Sequence, residues 1–152
     1  MDEPVSVTVH VDAPPDVVYR LVSDLPRMGE WSPENTGGRW LGGATPSTPG
    51  ARFKGTNTNG SRSWSTTAKV TEATPGEAFV FDVVVGPIRI ARWSYRITPT
   101  SGGCDVTESW HDQRGGLAKR LGGTVSGVDD RATFAEASMR TTLERLKAAA
   151  EG

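Results

Sequence analysis

From Ala51 onward, short segments alternating apolar and polar residues are broken by turn signals roughly every ten positions, a spacing that predicts an antiparallel meander. Ala51–Asn57 runs into Asn59-Gly60, a strong hairpin signal. Ser63–Thr71 sets Trp64, Thr66, Ala68 and Val70 on one face. Pro75-Gly76 turns the chain, and Phe79–Val85 follows, with Phe79, Phe81 and Val83 expected inward and Val80 and Asp82 outside. After Gly86-Pro87, Ile88–Ile97 opposes Ala91, Trp93, Tyr95 and Ile97 to Arg92, Ser94 and Arg96. Ser101-Gly102-Gly103 turns again. Cys104–His111 then sets Cys104, Val106, Glu108 and Trp110 against Asp105, Thr107, Ser109 and His111.

The flanks supply the rest of an α+β architecture. Val5–Val11 puts its valines on one face, with Ser6, Thr8 and His10 on the other, and reads as a half-buried strand. Val17, Val18, Leu21, Val22 and Leu25 have the helical period, which predicts a helix over 14–24 that Pro26 ends. Met28–Trp31 makes a second short turn, and Arg39-Trp40-Leu41 a short strand before a Gly/Pro-rich loop with Gly42-Gly43, Pro46 and Pro49. Residues 112–127 are glycine-rich and long for a connection, a candidate gate. Asp129 or Asp130 caps a helix to about Ala149, with a stripe of Ala132, Ala135, Met139, Leu143, Leu146 and Ala150. A sheet that is apolar on one face needs a cover, and only this helix is large enough. The expected fold is a curved antiparallel sheet of about seven strands gripping a long C-terminal helix, with two short helices after the first strand, in one domain over 1–152.

Charge and composition narrow the function classes. The net charge is −1, so no basic excess tracks a phosphate backbone, and nucleic acid is not the expected partner. No apolar run is long enough to span a bilayer, and the acidic N-terminus lacks a signal-like apolar region. The single cysteine, Cys104, precludes an intramolecular disulfide and reads as a small buried hydrophobe. A cytoplasmic monomer or homodimer is expected. Two histidines and one cysteine do not make a zinc site, and neither a Gly-x-Ser-x-Gly elbow nor a dinucleotide fingerprint is present. No metal or cofactor is expected.

The order of elements and several local segments resemble the START-like superfamily, also called SRPBCC or the Bet v 1-like helix-grip fold. Val9–Tyr19 resembles its opening strand and helix. Val22–Pro33, Gly50–Gly55 and Thr107–Trp110 resemble its bacterial polyketide cyclase/dehydrase-like branch. The resemblance spans residues 5–149 and implies a cavity between sheet and helix that takes lipids, sterols or polyketide-like molecules. The superfamily hosts carriers, receptors and cyclases on one scaffold, so the resemblance fixes fold more tightly than activity.

Within such a cavity, Glu108 is the candidate for chemistry. Period two turns it inward with Cys104, Val106 and Trp110, and a carboxyl in an apolar space becomes harder to ionise and able to act as acid or base. The alternative is an ion pair with Arg92 or Arg96. His111 falls on the opposite face, so it makes no dyad with Glu108 without a bulge, and His10 is expected to be solvated. Trp31, Trp40, Trp64, Trp93 and Trp110 are candidate walls for a flat ligand, joined by Phe53, Phe79, Phe81 and Tyr95. Asn57 offers one inward amide, and Phe134, Ser138 and Thr141 border the helix stripe. The leading expectation is a binding protein for an apolar or aromatic small molecule. The rivals are a cyclase or dehydratase using Glu108, and a regulatory or interaction domain without a ligand.

Overall fold

A computed structural model describes residues 4–42, 48–114 and 131–152. Among these, seven strands form one curved antiparallel sheet in the order β1-β7-β6-β5-β4-β3-β2. The strands are β1 (Val5–Val11), β2 (Asn35–Trp40), β3 (Arg52–Asn59), β4 (Arg62–Thr74), β5 (Ala78–Val85), β6 (Ile88–Thr100) and β7 (Gly103–Asp112). Helix α1 (Pro15–Val22) and a 3₁₀ helix (Leu25–Glu30) follow β1, and helix α2 (Arg131–Glu151) follows β7. Gly60 turns the β3–β4 hairpin with φ +63°, which a glycine adopts without steric cost. Gly43 and Pro46, most of residues 112–127, and the cap at Asp129 or Asp130 lie outside the described residues.

Helix α1 is held by local chemistry. Pro14 and Pro15 begin α1, where a missing N–H loses no helical bond. α1 buries Val18, Tyr19 and Val22, and Ser23 closes it by donating its hydroxyl to the Tyr19 carbonyl at 2.7 Å. α2 packs on β1, β7 and α1, burying Ala135, Met139, Thr142, Leu143 and Leu146. Ala132, expected in that stripe, is exposed, and Ala150 is half-buried.

Polar pairs run along the outer face of β1 and β7. Ser6–Ser109 and Thr8–Thr107 are each joined hydroxyl to hydroxyl at 2.8 Å, and His10 Nδ1 meets Asp105 at 3.0 Å. His10 is thus partnered as well as partly solvated: its Nε2 also meets Asp12 at 2.9 Å. Those bonds, Asp105 first and Asp12 second, raise its pKa above the ordinary value. Farther along the sheet, Val80 and Asp82 do point outward, but both are buried. Arg92 covers Asp82 with two hydrogen bonds of 2.7 and 3.1 Å.

Three register shifts interrupt the sheet, between Asn35 and Gly37, Val70 and Glu72, and Val83 and Val84. Each is a place where the ladder bends and twists more sharply. The last has a direct effect on the site. Val83 faces Ala91 while Val84 faces Arg89, which leaves Ile90 as the extra residue of β6.

Candidate functional site

A cavity of about 420 Å³ lies beneath the N-terminal half of α2. Its walls come from the inner faces of β3 to β7, the segment from the 3₁₀ helix into β2, and α2 itself. Phe53, Trp64, Phe81, Trp93, Tyr95, Trp110 and Phe134 supply aromatic surface. Asn57 and Ser138 also line it. The Asn57 amide donates to Thr66 Oγ1 at 3.1 Å, which fixes that amide on the β3–β4 wall. At one end the lining is closed: Tyr95, Glu108, Trp110, Ala91 and Thr142 are all buried. At the other, Val85 and Ile88 form an apolar rim at the β5–β6 turn, 47 % and 51 % exposed.

Three aromatic residues expected in the wall sit elsewhere. Trp31 is buried between the 3₁₀ helix and α2, with the Arg27 guanidinium 5.3 Å from its ring centre and Arg145 donating to its carbonyl at 3.4 Å. Trp40 stands behind the wall, edge-on to Phe53 with ring centres 5.4 Å apart. Phe79 is fully buried in the packed core, edge-on to Tyr19 at 6.3 Å. Thr141 donates to the Ala137 carbonyl, and its neighbour Thr142 takes the inward position. The sequence reading also missed Met28, Asn35, Ile90 and Arg114 as lining residues. Only the Ile90 position has a local explanation, the bulge that turns both Ile90 and Ala91 inward.

Phe53 owes its place to a glycine on the neighbouring strand. A Cβ at Gly38 would collide with the Phe53 ring and the Lys54 carbonyl. The bare backbone of β2 therefore lets the ring lie close over the sheet edge.

Glu108 is buried at the closed end, 3 % exposed, on the same face as Val106 and Trp110. It is paired with neither Arg92, which binds Asp82, nor Arg96, which reaches Glu72 at 3.4 Å. Its strand neighbours are Val7 on β1 and Tyr95 on β6. Burial pushes its pKa up to about 8, with the Tyr95 hydroxyl pulling in the other direction. The carboxyl is therefore mostly protonated at neutral pH. Its Oε1 has no hydrogen-bond partner. His111 lies opposite Arg92 on the other face and makes no dyad with Glu108. Arg114, in the cavity wall, is clamped by Asp112 through hydrogen bonds of 2.9 and 3.0 Å, with both side chains nearly inaccessible. Among the described residues, no cluster of His, Cys, Asp and Glu is placed to hold a metal ion. No described helix is long and apolar enough to cross a membrane.

This helix-grip geometry agrees with the family comparison. The family model for polyketide cyclase/dehydrase and lipid transport matches residues 3–151. The chain belongs to that family. Among solved structures, it is similar to a polyketide cyclase-like protein from Corynebacterium glutamicum, with 29 % identity over 97 % of this chain and 91 % of that one, TM-score 0.65. A START superfamily protein from Mycobacterium smegmatis shares the fold at 16 % identity, covering 99 % and 98 % of the two chains, TM-score 0.69. The di-domain aromatase/cyclase StfQ of steffimycin biosynthesis does so at 16 % identity and TM-score 0.74; the match covers 97 % of this chain and half of StfQ. No curated protein matches the chain in sequence. Family membership supports a ligand-binding or cyclase role in general terms.

Proposed function

We propose that this protein binds an apolar or aromatic small molecule, of lipid, sterol or polyketide type, in the cavity beneath α2. The observation that carries this reading is the cavity itself: about 420 Å³ of space walled by aromatic side chains that do not close on one another. Ligand sites are typically concave and largely apolar, with a few placed polar groups, and this lining has that character. The exposed apolar rim at Val85 and Ile88 belongs to the same lining, which supports entry of such a molecule there. Because these exposed residues belong to the cavity mouth, the described surface gives no separate support to a ligand-free interaction domain.

The test is a titration with a sterol, a fatty acid and a polyphenol, followed by tryptophan fluorescence and by melting temperature. Saturable quenching with a rise in Tm is expected for at least one of them. An Ala68→Phe variant, which places a ring into the cavity, is expected to lose that response while staying folded. Absence of both quenching and thermal shift across the panel would overturn the proposal.

Glu108 favours a second reading, a cyclase or dehydratase acting by general acid/base catalysis. A carboxyl held mostly protonated inside a cavity can hand its proton to a ketone oxygen as the ring closes, or to a departing hydroxyl. Glu108→Gln would then abolish turnover of a poly-β-ketone substrate while leaving its binding intact. Full turnover by that variant would remove the mechanism.

A further inference from the structure

The polar groups of the cavity are few, and their arrangement bears on which ligands it accepts. Glu34, Glu108 and Arg114 are the charged residue types among the described residues lining it. Arg114 directs both Nε and Nη2 at Asp112, so its charge is already balanced within the protein. Glu34 is half-buried in the wall and adds negative charge, not positive. A ligand carboxylate entering this space would be stripped of water with no free cation among the described lining residues to meet it, a costly transfer.

Glu108 presents the opposite opportunity. Its Oε1 is buried, without a partner, in the closed end of the same space. The groups facing it from adjoining strands are Val7, which is apolar, and the Tyr95 hydroxyl. The lining residues of α2, Phe134, Ala135, Ser138 and Thr142, bring no ionisable group toward it. A buried polar atom left unsatisfied is a standing cost, and a ligand oxygen that completes its bonding removes that cost.

Resting on the ligand-binding reading above, we infer that Glu108 selects uncharged ligands bearing an oxygen, such as a ketone, phenol or alcohol, and seats that oxygen at the closed end, discriminating against carboxylates of the fatty-acid kind. The apolar body of the ligand then runs back along Phe81, Trp93 and Trp64 toward the rim. A protonated carboxyl donates to a ketone, and a ligand hydroxyl donates to the unpartnered Oε1. Once Glu108 ionises, it can no longer donate and repels the ketone oxygen. The preference for ketones is therefore lost as pH rises through about 8.

Three naphthalenes of matched shape test the inference on the full chain: 2-acetylnaphthalene, 2-ethylnaphthalene and 2-naphthoate. Affinities are read by tryptophan quenching and calorimetry at about pH 6.5 and about pH 9.5. At the lower pH the ketone is expected to bind roughly five-fold tighter than the ethyl compound, as one added buried hydrogen bond allows. Naphthoate is expected to bind weakest. At the higher pH the ketone should fall to the level of the ethyl compound. In Glu108→Gln, whose amide still donates, the ketone preference should persist at both pH values. Glu108→Leu, which buries no polar group, should lose it at both. Equal binding of ketone and ethyl compound by the wild-type protein would overturn the inference while leaving the ligand-binding reading intact. So would tightest binding of naphthoate, or an unchanged ketone preference in Glu108→Leu. Failure of all three to bind would overturn the inference, and the sterol, fatty-acid and polyphenol titration then decides separately whether the ligand-binding reading stands.

Discussion

The two halves of the space under α2 are built from the same inward-facing strand positions, yet one is solid and the other hollow. Where α2 meets β1, β7 and α1, the fillers interlock and most are compact: Val7, Val11, Val18, Val106, Cys104, Met139, Leu143 and Leu146, with Tyr19 and Phe79 packed edge-on among them, all buried. Around the cavity many inward residues are large and flat, among them Phe53, Trp64, Phe81 and Trp93 on β3 to β6. Aliphatic side chains of modest size interdigitate to crystal-like density. Rings anchored to a rigid, bent sheet stand around a space they cannot collapse into. Rings occur in both halves: Phe79, which meets Tyr19 of α1, fills, whereas Phe81 on the same strand lines.

The largest expected effect is at the solid end. Leu143 is fully buried there. Leu143→Ala is expected to cost about 3 kcal/mol in urea unfolding, from lost burial plus the new void. A comparable loss from Ala substitution at Trp64, which is only half-buried, would erase the contrast between the halves.

The next effect belongs to the one acid at the boundary. Glu108 has a folded-state pKa of about 8 against an ordinary 4.5. Between those values the folded protein binds a proton that the unfolded chain does not. Its contribution to stability is therefore intact below about pH 4.5 and is lost progressively as pH rises toward 8. Between about pH 6 and 8 the loss is on the order of 2 kcal/mol. Glu108→Gln should flatten this slope, measured as unfolding free energy across pH. An unchanged slope would show that the carboxyl is not held in an apolar place.

The smallest effect concerns the outer seam of the solid end. His10 bridges Asp105 and Asp12, Lys147 donates to the His10 carbonyl at 3.0 Å, and Glu151 accepts from the Asp12 N–H at 2.8 Å. These bonds tie the last turns of α2 to the exit of β1. The pKa of His10 is raised, so its contribution is full below the ordinary histidine value of 6.5 and fades as pH rises through the folded value. His10→Gln should lower Tm slightly in acid and not at all in alkali. A constant difference at every pH would mean that the imidazole charge does not hold the seam.

Much of the architecture was legible in the sequence because period two and turn chemistry are local properties. Cys104, Val106, Glu108 and Trp110 could be placed on one face by alternation alone, and Asn59-Gly60 marks its own hairpin. β2 was only partly legible: Asn35–Trp40 contains two glycines and no alternation, and its pairing with β3 defines it. The division between lining and filling was not legible. Phe79 and Phe81 share a face two residues apart, but Phe79 meets Tyr19 of α1 while Phe81 looks into the cavity. That difference depends on how far along the sheet the helices reach, which no local pattern encodes. The bulge at Ile90 and the inward turn of Thr142 in place of Thr141 are likewise settled only by the assembled partners.

The pairing of the first strand with the last carries a consequence for how the chain comes together. Ser6 and Ser109 touch although 103 positions separate them. The hairpins from β3 to β7 can zip up between sequence neighbours, but β1 has nothing to join until β7 has been made. Closing so long a loop is slow, and proteins dominated by distant pairings fold on the millisecond-to-second scale. During synthesis β1 therefore waits unpaired until β7 has emerged, and its polar backbone edge is satisfied only by water in the interval.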